Sequence, residues 1–180
     1  LSNAAPGTTF YVGVKCEDQQ AAEYALIAGL FSSPENNNTN GPITIEGYAV
    51  DIPDGSPEEP NAGIVIALNP YPITIQNVVV TTELTHEFGG DLYGQLLHED
   101  KEAVLNNHRG FSGTNIVFIW DDSDSLEIPG SVMSDGLPTL RNFVGEEGQG
   151  VWMLTMVDNT MSATGRIERL TIELEPQPPI

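Results

Sequence analysis

The stretch THEFGGDLYGQLLHEDKEAVLNNH, residues 85–108, contains all three histidines of the chain and the dipeptide His-Glu twice, at His86-Glu87 and His98-Glu99. It admits three readings: the zinc helix of a metallopeptidase, an amphipathic helix, or two strands joined by a turn. The zinc signature is His-Glu-x-x-His on a helix, because histidines four apart share a face and converge on one ion. Here the second ligand position holds Gly90 after the first pair and Glu102 after the second, so the zinc reading fails twice. A helix over 91–107 could start on Asp91 as N-cap, with Leu92, Tyr93, Leu96 and Leu97 at helical spacing. Gly94 interrupts it, however, and the apolar stripe breaks across 98–102. Each glycine costs about 1 kcal/mol relative to alanine in a helix, which weighs on Gly89 and Gly90 as well. The strand reading places Leu92, Gly94 and Leu96 on one face and Tyr93, Gln95 and Leu97 on the other. Residues 98–101 then form a polar turn, and 102–105 the returning strand.

The same period of two recurs outward from this stretch. Strands are expected at 43–50, 63–68, 73–85, 116–120, 151–157 and 166–174. In 73–85 the apolar members include Ile73, Ile75, Val78, Val80 and Leu84; in the last strand Ile167, Leu170, Ile172 and Leu174 are the inward set. A proline-punctuated acidic loop covers 52–60, and a long irregular connection covers 121–148. Prolines from Pro176 onward end the domain, since proline cannot donate to a ladder. Strands of even length separated by turns, with no strong helix, predict an all-β fold, a jelly-roll-like antiparallel β-sandwich of the galactose-binding-domain type. Residues 10–14 and 24–30 read as a further hairpin around a polar loop, followed by an asparagine-rich linker at 32–41. Residues 1–7 carry Ser-Asn-Ala, like a remnant of tag removal, and are left out of fold reasoning as such a remnant or a disordered start. The expected organisation is therefore 1–7, a hairpin and linker at 8–41, and the sandwich at 42–177.

Six basic residues against 26 acidic ones give a net charge of −20. A chain this acidic lacks the positive face that a phosphate backbone or an anionic lipid surface requires. No run approaches the length of apolar sequence that a membrane helix needs. Cys16 is the single cysteine and cannot form an internal disulfide. Asn37-Asn38-Thr39 fits a glycosylation sequon, which matters in a eukaryotic secretory pathway alone. Gly-x-Ser-x-Gly, P-loop and dinucleotide signatures are all absent. The start of an EF-hand at Asp122-Ser123-Asp124 is spoiled by Leu126, Glu127 and Met133 at the later ligand and turn positions. Surplus carboxylates serve solubility or gather around calcium. Asp91, Asp121, Asp122 and Asp158, all expected at strand ends, are the candidate calcium ligands, and calcium is the one cofactor the pattern points to.

Several blocks, taken in order, resemble a known family. The first is Val80-Thr81-Thr82-Glu83-Leu84-Thr85-His86-Glu87-Phe88-Gly89-Gly90-Asp91-Leu92, with His86 and Gly90-Asp91-Leu92 as its marked positions. Next come Phe118-Ile119-Trp120-Asp121-Asp122 and then Gly150-Val151-Trp152-Met153-Leu154-Thr155-Met156-Val157-Asp158, which matches Gly-x-Trp-x-Leu-x-Val-x-Asp with Met156 for a β-branched residue. Gly165-Arg166-Ile167-Glu168-Arg169-Leu170-Thr171-Ile172 follows, with Leu170 where a tryptophan is usual. Ile52-Pro53-Asp54 is similar to the opening of the same module. Together they resemble the P domain, or P/Homo B domain, of kexin-like and furin-like subtilisin-family proteases. One departure is His98-Glu99-Asp100-Lys101, where a Ser-Pro-x-Gly turn is common. Residues 10–30 are similar to the final hairpin of a bacterial pre-peptidase C-terminal domain, or else add strands to the sandwich itself.

The resemblance implies a non-catalytic accessory domain of a secreted, bacterial, subtilisin-like serine protease, acting on the folding, stability or regulation of an adjacent catalytic domain in the same polypeptide. It implies an extracellular or cell-surface location, with no nucleic-acid partner and no membrane insertion. His86, Gly90, Asp91, Leu92, Trp152, Asp158 and Gly165 become motif residues of the scaffold. Trp152, in an alternating strand, is expected in the core with an acceptor for its indole N–H. The alternative is a calcium-dependent extracellular module binding carbohydrate or protein, for which Tyr93 and Phe111 are the aromatics to follow. No convergent nucleophile and base are apparent for an autonomous hydrolase.

Overall fold

The computed structural model describes residues 41–124 and 128–178, with Thr9 and Gly13 as isolated positions. The hairpin at 10–30, the linker up to residue 40, Cys16 and the Asn37 sequon lie outside the described residues. The strands belong to the compact unit Pro34–Ile180. In chain order they are β1 (Ile43–Gly47), β2 (Val50–Ile52), β3 (Asn61–Asn69), β4 (Ile75–His86), β5 (Leu92–His98), β6 (Lys101–Asn107), β7 (Gly113–Asp121), β8 (Gly150–Asp158) and β9 (Gly165–Pro176). One sheet has the order β1-β9-β4-β7, with β2 also on β9; the other has the order β3-β8-β5-β6. Every strand ladder is antiparallel, and the two sheets form an all-β sandwich. Among the described residues the helical elements are two short 3₁₀ turns, Gly89–Asp91 and Leu140–Phe143.

Alternation drives this arrangement. In β5, Leu92, Gly94, Leu96 and His98 turn inward; in β8, Trp152, Leu154, Met156 and Asp158 do so. Gly94 carries no side chain because Met156 fills the space: a Cβ there would lie 2.6 Å from its Sδ. The shared core gathers Leu84, Leu96, Trp120, Trp152, Leu154 and Ile172, among others. Each such side chain contributes about 1.5–3 kcal/mol on full burial. The β5–β6 turn is two residues long, with Glu99 in the left-handed region at φ 51° and His98 paired to Lys101.

Two features depart from simple alternation. In β9, Ile167 and Leu170 both point inward although three residues apart. The register explains this: Glu83 pairs with Arg169 but Leu84 with Ile167, so Glu168 is an inserted bulge residue that resets the parity. The same bulge breaks the neighbouring ladder. The strand expected over 43–50 is divided into β1, ending at Gly47 opposite Leu170, and β2, starting at Val50 opposite Ile167.

The outer faces of the sheets differ in chemistry. Across β1, β9 and β4 the outward rows carry Thr44, Glu46, Thr171, Glu173, Thr81 and Glu83, with Val79 the apolar member, and they run on to Ile119 and the exposed Val117 of the edge strand β7. Across β3, β8 and β5 the rows are Ala62–Val157–Tyr93, Ile64–Thr155–Gln95, Ile66–Met153–Leu97 and Leu68–Val151. That second face is apolar apart from Thr155 and Gln95, with Ile64 and Val151 about half exposed.

Candidate functional site

The motif residues, spread from position 86 to 165, meet at one end of the sandwich. His86 ends β4 in one sheet and Asp158 ends β8 in the other, and both side chains turn inward. Nε2 of His86 lies 3.3 Å from Oδ2 of Asp158, with both side chains fully buried. The N–H of Phe88 donates to Nδ1 of His86 at 3.1 Å, and the N–H of Thr160 donates to Oδ1 of Asp158 at 3.0 Å. With Nδ1 an acceptor, the ring proton sits on Nε2 and faces the carboxylate. Gly165, beside His86 in the β4–β9 ladder, leaves room for the ring: a Cβ there would run into Cδ2 of His86 and the Thr85 carbonyl. Asp158 also pairs with Leu92, and the N–H of Asn159 donates to the Asp91 carbonyl at 3.4 Å. In a nucleophilic triad the histidine faces a carboxylate with one nitrogen and a nucleophile with the other. Here the Phe88 amide takes Nδ1, and Nε2 faces the Asp158 carboxylate in a buried polar contact that neither atom completes as a hydrogen bond, with no hydroxyl or thiol placed against either nitrogen among the described residues.

The four aspartates expected around calcium divide into two pairs. Asp121 pairs with Val79, seven residues along β4 from His86, which is roughly 20 Å at strand rise. Asp121 and Asp122 therefore lie well away from Asp91 and Asp158. Asp122 is buried and accepts from the Ser134 N–H at 2.8 Å, the Ser134 hydroxyl at 2.7 Å and the Leu140 N–H at 2.7 Å. It thereby fastens the 3₁₀ turn Leu140–Phe143 to β7. Asp121 accepts from the Ser123 N–H at 2.9 Å. Calcium takes six to eight oxygens within one shell. The four residues do not fit a single ion, and among the described residues no three acidic, histidine or cysteine side chains converge to hold a metal.

Asp91 differs from the other three. It ends the 3₁₀ turn Gly89–Asp91, whose second glycine lies under the Phe88 ring and whose first lies against the Phe111 ring. Its main chain is fixed by hydrogen bonds to Phe88 and Asn159. The residue is 6% exposed, and its carboxylate has no hydrogen bond or ion pair among the described residues. It opens onto a groove of about 540 Å³ with Glu87 and Phe88 on one side and residues 160–163 on the other. Phe88 is 59% and Met161 66% exposed on the two walls.

The remaining histidines act on structure. His98 is buried and stacks on Trp152, with centroids 4.1 Å apart and planes 5° apart. Its ring nitrogens face the carbonyl oxygens of Val151 at 2.9 Å and Glu147 at 2.8 Å. The indole N–H of Trp152 donates to the Gly148 carbonyl at 3.1 Å, as does the buried Asn69 amide at 2.9 Å. These side chains pin the loop entering β8. His108, exposed, reaches the Gly90 carbonyl with Nδ1 at 2.9 Å. Of the aromatics to follow, Phe111 packs on Gly89 and on Phe118, and Tyr93 belongs to the apolar outer face. Sequence reasoning named Glu87 and Phe88 only within motifs and did not reach Met161 or the groove they share; the usable signal was a large apolar residue inside each of two polar turns.

No protein-family profile matches the chain. Over 176 residues, 96% of its length, it is 28% identical to the calcium-dependent protease of Trichormus variabilis and, to the same extent, that of Nostoc sp.. The chain spans 23% of each of those proteins. Two solved structures of the serine protease of Aeromonas sobria, one in complex with its chaperone, align with TM-scores of 0.44 and 0.46 at 17% and 16% identity. They cover 76% and 77% of this chain and 27% of theirs. The chain is distantly similar to one region, about a quarter, of larger bacterial proteases.

Proposed function

We propose that this chain is a non-catalytic, P-domain-like accessory sandwich of a secreted bacterial subtilisin-like serine protease, which stabilises the catalytic domain of the same polypeptide by packing against it. The observation that carries this reading is the apolar outer face of β3, β8 and β5. A solvated antiparallel sheet has a polar outer face, as β1, β9 and β4 do, and a contiguous apolar face marks an interaction surface. A second copy of the chain is a poor occupant because each carries −20. The distant similarity to a quarter of two proteases supplies the occupant: the rest of such a protein. The bond from the Phe88 amide to Nδ1 and the full burial of His86 against Asp158 support a scaffold role for this pair. Calcium enters through the relatives' name, and the reading does not depend on it; nucleic acid and membrane insertion have no part in the reading either.

The test expresses the chain alone and joined to the protease domain, each with Ile66→Glu and Met153→Glu. Charges on this face are expected to leave the isolated chain folded and to lower the yield and thermal midpoint of the joined protein. Unchanged yield and midpoint in the joined protein would overturn the reading, as would peptide hydrolysis by the isolated chain.

A further inference from the structure

We propose that the groove beside Asp91 is a binding site for a basic side chain, guanidinium or ammonium, presented by a polypeptide segment. Unlike the accessory-domain reading, this rests on the groove alone. Asp91 as a residue is 6% exposed, and its unpartnered carboxylate meets solvent through the groove alone, without a counter-charge. The described residues do not supply one. Each of the five described basic residues is already paired: Lys101 with Glu146, Arg109 with Asp135, Arg141 with Asp124, Arg166 with Asp51 and Glu168, and Arg169 with Glu83. The counter-charge for Asp91 therefore comes from outside.

The walls select which cation. A bare divalent ion needs a shell of oxygens, and this groove is lined by the exposed Phe88 and Met161 side chains as well as by oxygens. An arginine or lysine side chain has an aliphatic stem as well as a charged head. The stem lies along Met161, the head reaches Asp91, and the Phe88 face adds a cation–π contact. Glu87 stands at the rim with Oε2 accepting from the Thr164 N–H at 3.1 Å, which leaves Oε1 for the incoming donor. The field of a chain with charge −20 draws such a partner in.

The experiment titrates the ¹⁵N-labelled chain with N-acetyl-arginine methylamide, its neutral citrulline analogue, and calcium chloride, following backbone amide shifts. The arginine probe is expected to saturate shifts at Asp91 and Thr160–Ala163 with a Kd on the order of millimolar, as suits one side chain. The citrulline analogue is expected to move none of them. Asp91→Asn should weaken the arginine probe at least ten-fold. Met161→Ala, on an exposed side chain without hydrogen bonds, should weaken it about three-fold while the unfolding midpoint holds; it decides the matter if Asp91→Asn does not fold. Three results each overturn the proposal: no saturable shift with arginine, equal binding of citrulline, or calcium saturating the same amides more tightly than the arginine probe. The isolated chain is the sample throughout, so the outcome is separate from whether the chain serves a protease.

Discussion

Changing Asp158 to asparagine alters a single atom in volume terms and tests the hydrogen-bond account of the buried pair. Oδ1 accepts from the Thr160 N–H, and Oδ2 faces the Nε2–H of His86. The imidazole cannot answer by moving its proton to Nδ1, because the Phe88 N–H occupies that side. An asparagine has one oxygen for two donors. Whichever way the amide is turned, its NH₂ faces another N–H in a site closed to water. An orphaned buried donor costs about 1–3 kcal/mol, toward the upper end where the acceptor lost was a charged carboxylate. A loss of about 3 kcal/mol is the expectation, or roughly 6–12 °C in thermal midpoint for a chain of this length. Urea unfolding of the wild type, Asp158→Asn, His86→Asn and the double variant gives a double-mutant cycle. The two changes should couple by at least about 1 kcal/mol, since the second removes a contact already lost. A single-variant loss under about 1 kcal/mol, or strict additivity in the cycle, would falsify the pairing described for Asp158 and His86.

The other expectations follow from the same geometry. Gly165→Ala should destabilise by about 1–3 kcal/mol in urea unfolding, because its methyl meets the His86 ring and a carbonyl that is fixed in the ladder. His98→Phe keeps a ring on Trp152 but strands the Glu147 and Val151 carbonyls; a loss of about 2–4 kcal/mol is expected, against under about 0.5 kcal/mol for His108→Phe on the surface. Thermal unfolding of the isolated chain should give the same midpoint in millimolar calcium and in chelator. A higher midpoint in calcium would reveal a ligand set that the commitments of Asp121, Asp122 and Asp158 argue against.

The strands were legible because each exposes one face and buries the other, so parity can be counted along the chain. In residues 92–98 the glycine at 94 counts as an inward position, and the space it leaves is occupied by Met156 from β8. Apolar character, against parity, marked Ile167 and Leu170 as a shared inward set, and their odd spacing requires the bulge at Glu168. The bulge's effect on the next strand was not legible, since the division of 43–50 depends on a partner more than a hundred residues away. The aspartates are the harder case. Whether a carboxylate is free depends on which amides reach it: for Asp122 these come from Ser134 and Leu140, in a segment that composition marks merely as irregular. Asp91 looks the same in sequence and is left without a partner. Strand ends could be listed from the pattern, but their electrostatic needs could not.

Charge and apolar surface taken together narrow what this sandwich can meet. An apolar sheet face by itself is compatible with self-association, with a lipid surface or with another domain. A net charge of −20 disfavours the first two, because like copies and anionic headgroups are both repelled. With the described basic residues bound up in local ion pairs, little positive surface is left to offset that repulsion. What fits is a protein surface that is apolar at its centre and basic at its margin. The apolar rows of β3, β8 and β5 would meet the first, and the Asp91 groove is suited to a projecting member of the second. A partner lacking basic residues could still cover the sheet face, but its association should then lose the salt dependence that opposite charges confer. Measuring that dependence between the separately expressed chain and protease domain separates the two contributions: a rate of association insensitive to salt leaves the apolar face alone in charge of docking.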